Sequence, residues 1–172
     1  QREWNALVSH WQSGMSSFQS QLDELNGSCD RRFPDWNTSD WDNWSAPTEI
    51  PRVIRFGHFG VEMSQVEGGI PQAEELHRER TEFALPAMLP FPDCSLLLLK
   101  ATAEGRTPAV TAIQAVMLRM LTSLPPGKVR FTIIDPVGLG ENFSAFMHLA
   151  DYDEQLVTNR IWTNNSHIEQ RL

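Results

Sequence analysis

Seven large apolar residues, Trp4, Val8, Trp11, Met15, Phe18, Leu22 and Leu25, recur in alternating steps of four and three, with glutamine, serine and charged residues filling most positions between them. That spacing marks the apolar face of an amphipathic helix and is also the heptad seam of a coiled coil. It predicts a helix over residues 1–27, stopped at Asn26-Gly27-Ser28, because glycine suits the left-handed turn that follows a helix. Gly14 weakens the middle of that helix by up to about 1 kcal/mol relative to alanine. Two uses of the seam are open: packing on the helix's own domain, or pairing with a coiled-coil partner through the same seven residues.

The pattern changes after the helix. Residues 28–51 interleave aromatics with acids and turn formers, as in Phe33-Pro34-Asp35-Trp36 and Asp40-Trp41-Asp42-Asn43-Trp44, which reads as a linker with a short helical turn capped by Ser39 or Asp40. Aspartates between the tryptophans would repel nucleic acid, so the expectation is that Trp36, Trp41 and Trp44 pack across the helix or core. Residues 52–94 form a small β-rich lead-in. Val53 to Met63 favour extended chain, as a hairpin or strand pair, with Gly57 and Gly60 permitting a bend or bulge, and Gly68-Gly69-Ile70-Pro71 closes it. Gln72 to Glu79 is polar and acidic enough for a solvated helix or loop. Phe83-Ala84-Leu85-Pro86 reads as a short edge strand, with Pro90 and Pro92 breaking the chain.

Residues 95–172 carry an α/β pattern. An apolar strand, Ser95-Leu96-Leu97-Leu98-Leu99, leads into the loop Lys100 to Thr107, a helix over 107–124, and a second strand, Val129 to Ile134, ending on Asp135-Pro136. Pro108 fits the first turn of that helix and Pro125-Pro126-Gly127 stops it; its apolar face holds Val110, Ile113, Met117, Leu118 and Leu121. A helix between two apolar strands predicts a right-handed crossover in a parallel sheet buried on both faces, with any ligand at the carboxyl ends of the strands. A further helix is expected from Ser166 to Leu172. The chain opens on Gln1 and stops inside that helix, so both ends read as cut.

Charge and composition narrow the chemistry. The 172 residues are enough for about one domain with a core of ordinary size. A net charge of -8 without a basic run argues against direct nucleic-acid binding. The longest apolar stretch is far too short to span a bilayer and no charged-then-apolar leader opens the chain, so a cytoplasmic protein is expected. Cys29 and Cys94 lack metal spacing and read as two reduced thiols. His58 and His77 have no partner at metal spacing and read as packed or surface residues. His148, Asp151 and Asp153 read as helix-capping and solvent-exposed groups. No catalytic residue and no metal site is assigned.

The loop before the second helix is the candidate site. A helix N-terminus offers unpaired N–H groups and the positive end of its dipole, so anions collect there. Laid over G-x-x-x-x-G-K-[ST], Lys100 takes the first glycine, Gly105 the second, Arg106 the lysine and Thr107 the hydroxyl position. Two of the four positions keep their residue type. Arg106 keeps the charge with a bulkier, forked shape, and Glu104 adds a carboxylate where phosphate would sit. These residues form a degenerate phosphate loop, with ATP and Mg²⁺ as the ligands it would take. The alternative is an ordinary strand-to-helix turn.

In this order the chain resembles the FtsK/SpoIIIE-type DNA translocases, hexameric RecA-like motors of the P-loop class. The resemblance rests on the apolar strand, loop, helix and Pro-rich turn, then Ile134-Asp135-Pro136-Val137-Gly138, with His148-Leu149 similar to the family's proline-histidine-leucine corner; it covers 95–172 well and 52–172 loosely. It implies a partial RecA-like P-loop core. It also implies that Asp135 ends a strand other than the Walker B strand, whose metal-linked acids, like the DNA-contacting loops, would lie beyond Leu172. Three readings follow from it. The chain is a non-catalytic, structural or regulatory portion of such an assembly, joined to the remainder of a larger polypeptide or to copies of itself. Alternatively it is the ATP-binding part of an active motor in which ATP hydrolysis drives DNA translocation, or a coiled-coil interaction module.

Overall fold

The structure, a computed structural model, describes residues 1–93, 96–158 and 160–171; Cys94, Ser95 and Leu172, on which parts of the expectations above fall, lie outside the described residues. It is a mixed helix-and-strand chain divided into two units, residues 1–44 with 55–89, and residues 45–54 with 90–172. None of its described helices is long and apolar enough to cross a membrane.

The first unit is organised by α1, Arg2–Arg32. The helix runs through Gly27 instead of stopping there. A mid-helix glycine costs up to about 1 kcal/mol, whereas burying a large apolar side chain gains about 1.5–3 kcal/mol. The longer helix brings Cys29 and Phe33 into the interior, and the Phe33 N–H closes its end on the Cys29 carbonyl (2.7 Å). The apolar seam divides. Leu22 is buried and Val8, Trp11 and Met15 are half-buried, while Trp4, Phe18 and Leu25 stay exposed. The helix is fastened to its own unit by polar bonds: Trp11 Nε1–H donates to the Leu76 carbonyl (3.0 Å), Arg78 to the Gln12 carbonyl (2.8 Å) and Asn26 to the Ala84 carbonyl (3.0 Å). Arg80 pairs with Asp23 (3.0 Å), and Phe18 meets Phe83 edge to face at 5.3 Å.

β1, Val53–Glu62, pairs antiparallel with β2, Glu82–Pro90. Val53 to Met63 therefore does not fold back on itself. Gly57 and Gly60 are passed without a break, and the partner is the strand containing Phe83, longer than expected. The Met63 N–H donates to the Thr81 carbonyl at one end (2.9 Å), and the Phe91 N–H to the Arg52 carbonyl at the other (2.9 Å). Both strands are edges, so Pro86 and Pro90 are tolerated. Gln72 to Glu79 holds a single short 3-10 turn, Glu74–Leu76. Ser39–Asn43 is another, entered from Thr38 instead of the expected Ser39 or Asp40 cap. Trp36, Trp41 and Trp44 pack on one another, and Trp36 and Trp44 remain exposed.

In the second unit α2, Arg106–Ser123, matches its expected span to within a residue at each end. It covers a core of Met117, Phe131, Ile133, Phe143, Phe146 and Val157, with Val110, Leu121 and Ile161 packed at its rim. Phe143 and Phe146 come from a long 3-10 segment, Glu141–Asp151, and α3, Asn165–Arg171, follows. The expected second strand, Val129 to Ile134, does not form as a strand; two isolated parallel bridges stand in its place. Phe131 bridges Val157 and Ile134 bridges Trp162, three residues apart on one segment and five on the other, so no regular ladder forms. Burial alternates along it, with Phe131, Ile133 and Asp135 inside and Thr132 and Ile134 outside. The segment is thus covered on one face, not on both.

The expected first strand differs most. Leu96 to Leu99 form no strand, and Leu96 and Leu98 are 86% and 72% exposed. An apolar strand hidden on both faces needs neighbours on its edges to satisfy its backbone. The segment at Phe131 takes its partner from downstream, at Val157 and Trp162, and among the described residues no segment pairs with the leucines.

A Cβ at Gly14 would meet nothing within 4 Å. Gly14→Ala is therefore expected to stabilise the first unit by about 0.5–1 kcal/mol, read as a raised urea midpoint at unchanged slope. A neutral or negative effect would show that α1 is not helical at that point in solution.

Candidate functional site

The loop into α2 is short and turn-bonded. The Gly105 N–H donates to the Thr102 carbonyl (3.0 Å), and the Ala109 N–H to the Gly105 carbonyl (3.0 Å), which starts the helix. Gly105 is the N-cap at φ −81°, ψ −3°, a conformation open to any residue, so glycine is not required there by backbone geometry. It is required by space only weakly, since a Cβ would lie 3.3 Å from the Ala101 Cβ. Lys100, Glu104, Arg106 and Thr107 are all exposed. The chain thus brings Gly105, Arg106 and Thr107 together at the positive end of α2, with Lys100 further up the same loop. Pro108 sits in the first turn, where it removes one N–H that an anion would otherwise use.

Asp135, the other candidate, is committed elsewhere. It is buried, and its carboxylate accepts the Gly138 N–H on Oδ1 (2.8 Å) and the Asn142 amide on Oδ2 (3.1 Å). Its own N–H donates to the Trp162 carbonyl (2.9 Å). The chain then turns through Leu139 and Gly140, both at positive φ (50° and 88°), into the 3-10 segment. A Cβ at Gly138 would collide with the Asn142 amide and the Asp135 carboxylate, so this glycine is needed for close approach. Gln114 of α2 donates to the Asn142 carbonyl (2.6 Å), tying the helix to the corner. The carboxylate therefore acts as an internal acceptor for Gly138 and Asn142, not as a partner of Lys100, Arg106 or Thr107. Asn142 and Gln114 were not singled out in the sequence; an Asp-Pro-x-Gly corner followed by asparagine was the available signal.

Arg55, not singled out in the sequence, is only 2% exposed. Its guanidinium donates to the Asp30 carboxylate and to the Phe33 carbonyl, and lies 3.3 Å from Asp35 Oδ1 and 3.2 Å from His58 Nε2. Since a guanidinium only donates, His58 Nε2 is the acceptor in that contact. A lone charge inside the apolar run Val53-Ile54-Arg55-Phe56 was the signal for it. Cys29 lies in the same field and is a free thiol. Burial pushes its pKa up, an effect that Arg55 opposes and Asp30 reinforces, so at neutral pH it is a protonated, weakly reactive thiol.

His148 Nδ1 is 3.2 Å from Asp151 Oδ2 with both groups exposed, and Asp153 accepts the Gln155 N–H (2.9 Å). Among the described residues no cluster of three or more His, Cys, Asp or Glu side chains is arranged to hold a metal ion. No protein-family model, no curated protein and no solved structure matches the chain.

Asp135→Ala would leave the half-buried Gly138 N–H and Asn142 amide without their acceptor. It is expected to lower unfolding stability by about 1–3 kcal/mol in chemical denaturation, with Gly138→Ala also destabilising. An unchanged or stabilised Asp135→Ala variant would show that the carboxylate is not serving the fold.

Proposed function

We propose that this chain supplies a non-catalytic, structural or regulatory portion of an FtsK/SpoIIIE-like P-loop assembly, with residues 100–107 standing where a phosphate loop would be but lacking much of its chemistry. The observation that carries this reading is the chain order in the second unit. A loop enters α2 at its N-terminus, α2 is followed by a segment paired in parallel with a later one, and that segment ends on Asp135-Pro136-Val137-Gly138. The loop chemistry supports the non-catalytic half of the reading. Glu104 would repel phosphate, Arg106 is forked where a compact charge is needed, and Pro108 withholds a donor.

On this reading the leucines at 96–99, of which Leu96, Leu98 and Leu99 are exposed, are a strand awaiting neighbours. The rest of a RecA-like layer, from a larger polypeptide or from copies of the chain, would cover them. Direct DNA binding is not part of the proposal, because a chain of net charge -8 repels the phosphate backbone.

Calorimetric titration with Mg-ATPγS tests the proposal. No saturable binding is expected up to about 1 mM, corresponding to an affinity weaker than about -4 kcal/mol, and Thr107→Ala should change nothing. Saturable binding abolished by Thr107→Ala would replace this reading with that of a working nucleotide site.

A further inference from the structure

A cavity of about 160 Å³ opens within the connection from β1 to β2, and all of its walls belong to the first unit. Met63, Ile70, Pro71 and Leu76 give it an apolar body, while Arg78 and Thr81 bring polar groups to it. Backbone bonds fix these walls. The Val66 N–H donates to the Met63 carbonyl (3.1 Å) and the Gly69 N–H to the Val66 carbonyl (2.8 Å). A Cβ at Gly69 would collide with the Met63 carbonyl, so only glycine lets the chain fold back that closely. His77 Nε2 lies 2.9 Å from the Pro71 carbonyl, and since a carbonyl only accepts, this nitrogen carries the hydrogen. α1 secures the other side through Trp11 Nε1–H on the Leu76 carbonyl (3.0 Å) and the Gln12 amide on the Glu75 carbonyl (3.2 Å).

Arg78 is the unsatisfied group of this cavity. Its Nη2 donates to the Gln12 carbonyl (2.8 Å), but its Nε is buried with no hydrogen-bond partner. Arg55 and Arg80 each have a carboxylate partner, whereas among the described residues none pairs with Arg78. Glu74, Glu75 and Glu79 are exposed and do not line the cavity. A buried cationic donor without an acceptor is costly, and most such groups in folded proteins have one. A carboxylate fits best, because the planar guanidinium presents a fork of N–H donors that matches two oxygens. The size and walls select the rest of the ligand. An apolar cavity of about 150 Å³ admits a molecule the size of benzene, so this one has room for a body of about six to eight non-hydrogen atoms. A bare inorganic anion would meet Arg78 and leave the apolar walls unfilled, and an ordered water needs two or more polar partners.

We propose that this cavity binds a small monocarboxylate with a branched or cyclic apolar body, its carboxylate against the Arg78 guanidinium and its body against Met63, Ile70, Pro71 and Leu76. The site lies wholly in the first unit and stands or falls separately from the loop at 100–107.

The full chain, labelled at its methionine and isoleucine methyl groups, is titrated with isovalerate while NMR shifts are followed at Met63 and Ile70. Saturation is expected with a Kd of about 1 mM or tighter. Isovaleramide keeps the body and removes the charge, acetate keeps the charge and loses most of the body, and inorganic phosphate has no apolar body at all. Each is expected to bind about tenfold more weakly or worse, and Arg78→Gln to weaken isovalerate by about tenfold or more. Ile70→Glu, at an exposed position apart from the bond between Arg78 and Gln12, places a repelling charge at the cavity and should weaken binding as much. It carries the test, read at Met63, if the arginine variant fails to fold by circular dichroism. A cavity that holds water only would give no saturable shift with any of the four probes. That result, affinity for the amide, acetate or phosphate equal to that for isovalerate, or isovalerate binding unchanged in a folded variant would overturn the proposal.

Discussion

A guanidinium leaves water only where acceptors already wait for it, and in the first unit that requirement settles where three segments of chain must go. Arg55 on β1 is buried, and the groups that receive it are the Asp30 carboxylate near the end of α1, the Phe33 carbonyl just beyond it, and Asp35 at the start of the tryptophan-bearing turn. The net stabilisation from such an arrangement is modest, because desolvation offsets most of the attraction. Its effect is geometric. The two carboxylates are 56% and 70% exposed, so their cost of burial is small while the arginine's is met by several acceptors. α1 has to continue past Gly27 for Asp30 and Phe33 to arrive there, and the turn at Asp35 has to bend for its carboxylate to join.

The second unit applies the same rule with the opposite charge. Asp135 is taken inside at the end of a parallel-paired segment, and its carboxylate is answered by a backbone N–H and an amide contributed within the next seven residues. That local answer forces the left-handed step through Leu139 and Gly140. The step in turn starts the 3-10 segment that delivers Phe143 and Phe146 to the core under α2. The buried acid thus shapes the corner that follows it.

In the second unit a helix N-terminus, which ordinarily favours anions, is accompanied by Glu104 and Pro108, and these reduce what the dipole and the first-turn N–H groups can offer a phosphate. In the first unit the stacked indoles of Trp36 and Trp41 stand on a turn whose Trp41 Nε1–H is held by the Asp35 carbonyl. The Arg55 cluster connects fold to surface there, since Asp35 answers the guanidinium with its side chain and fixes Trp41 with its carbonyl.

Periodicity and punctuation, which act over a few residues, were enough to determine α1 from its seam, α2 from Pro108 and Pro125-Pro126-Gly127, the terminal helix at 165–171, and extended chain at Val53 to Glu62 and around Phe131. They could not determine which extended segment pairs with which. Val53 to Glu62 chose the Phe83 strand, Phe131 and Ile134 chose Val157 and Trp162, and Leu96 to Leu99, the most apolar run of all, formed no strand. Nor could they show that Gly27 would be overrun, that Arg55 would be buried, or that Asp135 would be answered by Gly138 and Asn142. Backbone preference is a property of neighbours in sequence, whereas strand pairing and the burial of charge depend on which distant groups arrive to satisfy them, and only the tertiary structure decides that.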